Sequence, residues 1–100
     1  MNEKIIGLKI NEKDNVAVIF GFVPNGGTAY VNDPIGNTKA YMVHGDVKYG
    51  HKIALIPIKK GSKIIKYGEV IGGATQDIPV GMHVHVENVE SLRARGDWKG

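Results

Sequence analysis

Val47-Lys48-Tyr49-Gly50-His51-Lys52-Ile53 is followed by Ile58-Lys59-Lys60-Gly61-Ser62-Lys63-Ile64, and later by Ile78-Pro79-Val80-Gly81-Met82-His83-Val84. In each stretch an aliphatic residue stands three positions before a glycine, and a second aliphatic stands three after it. The spacing reads as a plug residue buried at the end of a tight turn. The glycine takes a left-handed or close-packed backbone position, and a new strand departs from it. The units are too short and too unevenly spaced for a solenoid. They fit a compact, contorted all-β fold whose chain doubles back often.

The third unit runs into Gly81-Met82-His83-Val84-His85-Val86-Glu87-Asn88, where polar and β-branched residues alternate. Alternation of this kind predicts a strand. The side-chain period of two then places His83, His85 and Glu87 on one face, and Val84 and Val86 on the core face. Residues two apart on a strand have Cα atoms roughly 6.5–7 Å apart, so both imidazoles can reach one ion or one substrate. Two histidines and a carboxylate are a workable ligand set for a transition metal. The same pattern also describes the solvated face of an amphipathic strand, and the residues alone leave both readings open.

Upstream, Lys4 to Ile10 reads as a first strand, Asn11 to Asn15 as a polar turn, and Val16 to Phe20 as a strongly apolar second strand. Pro24-Asn25-Gly26-Gly27 is turn chemistry. Thr28–Val31 and Lys39–Val43 form the arms of a hairpin around Asn32-Asp33-Pro34-Ile35-Gly36-Asn37. A 3.6-residue apolar period never persists for three turns, so helix is expected to be a turn or two at most. His44 fits no pattern and reads as an exposed strand-end residue. The recurrence of Lys48-Tyr49-Gly50 as Lys66-Tyr67-Gly68 carries no obvious geometry.

One hundred residues make one domain with a modest core. The chain has no cysteine, which removes disulfides and thiolate metal sites and fits a reducing cytoplasm. No apolar run reaches membrane-span length, and Ile5-Ile6-Gly7-Leu8 is too short for a signal-peptide core. The expectation is therefore a cytoplasmic protein with no membrane contact. A net charge of +3 favours an acidic partner surface or a small anionic substrate. Lys59, Lys60, Lys63 and Lys66 cluster, but with no recognition helix or stacking aromatics among them. They read as a lysine-blunted strand edge rather than a nucleic-acid surface.

A set of segments in order makes a more specific match. Gly50-His51-Lys52-Ile53-Ala54-Leu55, Lys60-Gly61, Ile64-Ile65-Lys66-Tyr67-Gly68, Ile71-Gly72, Asp77-Ile78 and Gly81-x-His83-Val84-His85-Val86-x-Asn88 together resemble the SAF domain of the altronate hydrolase and galactarate dehydratase family. The tail Leu92-Arg93-Ala94-Arg95-Gly96-Asp97 is similar to that of the family's stand-alone small-subunit form. The resemblance spans essentially the whole chain as one SAF domain. It implies a β-clip fold, a small barrel of short bent strands.

The resemblance also implies a chemistry. Family members dehydrate sugar acids such as altronate or galactarate to 2-keto-3-deoxy acids with a divalent metal, iron(II) or manganese. On that basis His83 and His85, the family's His-x-His, are expected metal ligands, and His51 is an expected acid or base. Lys52, Lys66, Arg93 and Arg95 are expected to bind the anionic substrate. Glu87 departs from relatives that carry a third histidine at its position. So small a domain has too few candidates for a complete site, which implies a separate large catalytic subunit as partner; Trp98 in the tail suits burial against such a partner. Self-association into a homo-oligomer remains open. The alpha subunit of a sulfolactate sulfo-lyase looks like the same domain, with sulfite leaving in place of hydroxide. SAF-type domains also serve as non-catalytic binding modules in flagellar and pilus assembly proteins.

Overall fold

The computed structural model describes residues 4–91, none of them helical. Nine short strands form two sheets. β1 (Ile5–Leu8), β2 (Val16–Ile19), β3 (Thr28–Asn32), β4 (Thr38–Met42), β5 (Lys52–Ala54) and β8 (His83–Val84) make a six-stranded sheet in the order β4-β3-β1-β2-β5-β8. β6 (Lys63–Lys66), β7 (Glu69–Ala74) and β9 (Val89–Glu90) make the second, in the order β6-β7-β9. Only β1 and β3 pair in parallel; the other ladders are antiparallel. The all-β expectation holds, and the strand and hairpin positions predicted upstream agree to within two residues at each end.

The glycine-centred units are the joints of this fold. Gly50, Gly61 and Gly81 have φ of 84°, 88° and 84°. The flanking aliphatics Val47, Ile53, Ile58, Ile64, Ile78 and Val84 are all at most 3% exposed. Each glycine is the third residue of a four-residue turn. The turns are closed by His51 N–H donating to Lys48 O, Ser62 to Lys59 O and Met82 to Pro79 O, at 2.9–3.1 Å. A positive φ confined to the third position defines a type II turn, which favours glycine there. A fourth unit completes the set: Val23 (2% exposed), Gly26 (φ 86°) and Ala29 (0%), with Gly27 N–H donating to Pro24 O. Its closing aliphatic is only an alanine, so it does not stand out among the three branched-residue units.

The four units pair two by two. Val23 bridges Val47 and Ile58 bridges Ile78, each through reciprocal backbone hydrogen bonds of 2.7–2.8 Å. In each pair an aspartate just before the second plug residue accepts a hydrogen bond from a turn amide of the first unit. Asp46 takes the N–H of Asn25 at 2.9 Å, and Asp77 takes that of Lys60 at 2.8 Å. The chain is thus built twice over on one scheme. The core falls into two apolar clusters, the second of which draws Val16 from β2 as well as residues from the later part of the chain. One holds Ile19, Val23, Val31, Val43, Val47 and Ile53; the other holds Val16, Ile58, Ile64, Ile78 and Val84.

Three expectations need correction: the extent of the histidine strand, the face taken by Val86 and the exposure of His44. The predicted strand over Gly81–Asn88 ends at Val84, and the chain then turns through His85–Asn88 before β9. The cause is Asn88, buried at 1% exposure, whose side chain accepts from the His85 amide and donates to the His83 carbonyl. An Asx-type bond of this kind replaces the ladder bonds a strand would make. Val86, placed on the core face by alternation, therefore sits at the turn and is 81% exposed. His44 is half-buried rather than an exposed strand end. Its backbone pairs in parallel with the Met82 segment, donating to Gly81 O and accepting from His83 N–H. Lys48-Tyr49-Gly50 and Lys66-Tyr67-Gly68 share letters but not geometry. The second is the β6–β7 hairpin, with φ positive at both Tyr67 and Gly68, whereas the first is a type II turn.

Candidate functional site

Two of the turn units point their departing strands at each other. β5 leaves the turn at Gly50 and β8 leaves the turn at Gly81, and they pair antiparallel with Ile53 opposite His83 and Lys52 opposite Val84. Continuing that register by one pair brings His51, just before β5, opposite His85, just after β8. The rings of His51 and His85 stack with centroids 4.0 Å apart, and His51 and His83 lie 5.1 Å apart and nearly parallel. His51 Nδ1 is 2.8 Å from His83 Nε2. One ligand atom from each of the three imidazoles falls within 4.8 Å of the other two.

The third member of this cluster is thus His51, from another turn, and not Glu87. Glu87 lies behind His83, with its carboxylate 2.7 Å from His83 Nδ1. Alternation along a strand puts Glu87 beside the two histidines as an equal; the turn at His85–Asn88 puts it in a supporting position instead.

Electrostatics favour neutral imidazole at His51. Its pKa is held below the ordinary histidine value, first by desolvation and then by His85, Lys52 and Lys48, with Glu87 pulling the other way. Neutral imidazole is the form that binds metals and accepts protons. Lys52 is also pushed down, by burial first and by the Lys66 ammonium second. An anion set near these two cations would relieve both costs.

Lys52 and His85 line a groove of about 210 Å³ together with Ile71, Val86, Val89 and Ser91. Lys66 ends β6, with its ammonium 4.8 Å from the Tyr67 ring, and reaches the site only through its field at Lys52. Arg93, Arg95 and Trp98 lie outside the described residues. The sequence reading missed the apolar wall formed by Ile71 and Val89, because those residues come from the second sheet. It also missed the part played by Asn88, although asparagine is itself a turn-favouring residue.

Three imidazole nitrogens suit a borderline transition ion such as iron(II), whereas manganese prefers oxygen ligands. The three ligand atoms lie within 4.8 Å of one another, the clustering expected of residues that could hold one ion. The residues present therefore fit a divalent metal. Among the described residues no helix is long and apolar enough to cross a membrane.

Comparison with known proteins gives a consistent result. The family model described as the altronate/galactarate dehydratase SAF domain matches residues 5–92. Altronate dehydratase of Bacillus subtilis is 38% identical over 84 residues, which are 84% of this chain and 16% of that protein. Altronate dehydratase of Escherichia coli is 39% identical over the same shares. The (2R)-sulfolactate sulfo-lyase subunit alpha of Paracoccus pantotrophus is 46% identical over 48 residues, 48% of this chain and 72% of that subunit. The chain thus spans a small fraction of the altronate dehydratases it matches and most of the sulfo-lyase subunit.

Proposed function

Because the chain belongs to the SAF-domain family of the altronate and galactarate dehydratases, we propose that it is the small subunit of a metal-dependent lyase for an α-hydroxy acid, a sugar-acid dehydratase of the altronate or galactarate type. The observation that carries this reading is the convergence of His51, His83 and His85 beside Lys52.

Removing a proton next to a carboxylate piles negative charge onto a group already charged. A divalent metal held by His51, His83 and His85, iron(II) ahead of manganese by the preference of imidazole ligands, would supply Lewis-acid stabilisation of that charge. Lys52 sits at the groove beside His85 and neutralises the substrate's carboxylate, with Lys66 strengthening the local positive field. The groove's Ile71 and Val89 limit water around the reacting carbon. With all three imidazoles committed to the ion, proton removal and protonation of the departing hydroxyl fall to a larger catalytic subunit. The sulfo-lyase relatives support this division, since the chain matches 72% and 69% of two proteins that are themselves named as alpha subunits.

The test is reconstitution with the large subunit. The purified chain alone, given iron(II) or manganese, should bind metal but not turn over altronate or galactarate. The reconstituted pair should release a 2-keto-3-deoxy acid; release of sulfite from sulfolactate instead would assign it to the sulfo-lyase branch. His83→Ala should abolish turnover while leaving assembly intact. Unchanged turnover in that variant would sink the catalytic reading in favour of a binding module.

A further inference from the structure

We propose that Glu87 is a positioning residue, which holds His83 in its Nδ1–H tautomer and through it sets which nitrogen of His51 carries a lone pair into the site. The proposal deepens the metal reading above, but its first readout does not depend on any metal.

Glu87 Oε2 lies 2.7 Å from His83 Nδ1. A carboxylate can only accept, so a neutral His83 carries its proton on Nδ1 and donates it there. His83 Nε2 is then a bare lone pair, and it lies 2.8 Å from His51 Nδ1. Two lone pairs do not face each other at that distance, so His51 donates from Nδ1. Its Nε2 is left free to accept a proton or an ion. Glu87, His83 and His51 form a hydrogen-bonded series with one direction, and the carboxylate sets it.

This arrangement is a product of the turn and not of the strand pattern. Four residues of extended strand would separate Glu87 from His83 by roughly 13 Å. The Asn88 side chain folds residues 85–88 back, bonding the His85 amide at 3.0 Å and the His83 carbonyl at 2.8 Å. The backbone of His83 and its ring are thus both held from the same turn. A carboxylate on the far nitrogen of a ligating imidazole fixes the ring and raises its basicity, and losing such a partner costs about 10–100-fold in metal affinity.

The experiment is long-range proton–nitrogen NMR of the histidine rings in the metal-free full chain, at a pH of about 8 where imidazoles are neutral. The wild type should show His83 as Nδ1–H and His51 as Nδ1–H. Glu87→Gln, whose amide oxygen can still accept, should keep that pattern, and Glu87→Ala should lose it. Zn(II) titration of the same three proteins should show a loss of about 10–100-fold in Glu87→Ala and a smaller loss in Glu87→Gln. An Nε2–H tautomer for His83 in the wild type overturns the proposal whatever the variants do. So does an unchanged tautomer in Glu87→Ala, or unchanged Zn(II) affinity in a chain that binds it. A wild type that takes up no Zn(II), while Glu87→Ala still switches tautomer, supports the positioning role and refutes the metal reading alone.

Discussion

Asn88 decides where two imidazoles stand. Its amide is almost fully buried and makes both of its side-chain bonds to the backbone of the histidine segment. Replacing it with alanine leaves the His85 N–H and the His83 carbonyl without those partners, at a cost of about 2–3 kcal/mol. Asn88→Ala should therefore melt earlier and bind divalent metal more weakly, by denaturation and calorimetry; a metal affinity equal to wild type would show that the turn does not position the rings. At Tyr41 the phenol pKa is raised, first by burial and then by the Asp33 carboxylate. The folded state thus holds that proton more tightly than the unfolded one. The associated stability is intact below the ordinary tyrosine value of 10.0 and is lost as pH rises through that value toward the folded one. Asp33→Asn should bring the Tyr41 titration, followed by NMR, back toward 10.0. At this scale the sequence identified the histidines by residue type and spacing. It did not identify the neighbours of each ring, because those depend on a turn that a period-two pattern conceals.

The glycine-centred turn is the unit at the scale of elements, and its positions are not equivalent. At Gly61 a Cβ would meet nothing within 4 Å, so an alanine there bears only the cost of a left-handed φ, about 1–2 kcal/mol. At Gly81 a Cβ would fall 2.1 Å from the Met42 carbonyl oxygen, where β4 ends against the histidine segment. Backbone cannot yield as a flexible side chain can. Gly61→Ala should lower the melting temperature by several degrees, and Gly81→Ala should fail to give a cooperative melt. Equal melting of the two variants would contradict the close approach. The turns were readable because each has one chemical requirement, a glycine at positive φ between two buried aliphatics. The Val23–Gly26–Ala29 unit meets it less visibly, since alanine at the closing position has no branched side chain to mark it as core.

The whole molecule is built on two similar sets of turn units, joined by the β5–β8 ladder, the His44–Met82 bridge and the buried side chain of Asn15. Asn15 donates from its side chain to Lys63 O at 2.9 Å and accepts from Ile65 N–H at 2.8 Å. Its backbone bonds Ile65 O and receives Leu55 N–H. It therefore ties the end of β2's approach to β5 on one side and to β6 on the other. Asn15→Ala should cost about 2–3 kcal/mol. Hydrogen exchange should quicken first at Ile65 and along β6–β7, with the six-stranded sheet protected; uniform loss of protection would mean the two sheets fold as one indivisible unit. From the sequence, Asn11–Asn15 is only a polar turn, and nothing local marks its last residue as buried.

The sequence by itself determined the β class, the positions of the glycine-centred turns and the family, because each rests on short-range requirements: period, φ and an ordered set of motifs. Tertiary structure alone decided that His51 joins His83 and His85, and that Glu87 stands behind the cluster instead of in it. Those placements depend on the pairing of strands some thirty residues apart and on one buried amide bending the chain, and no local pattern encodes either.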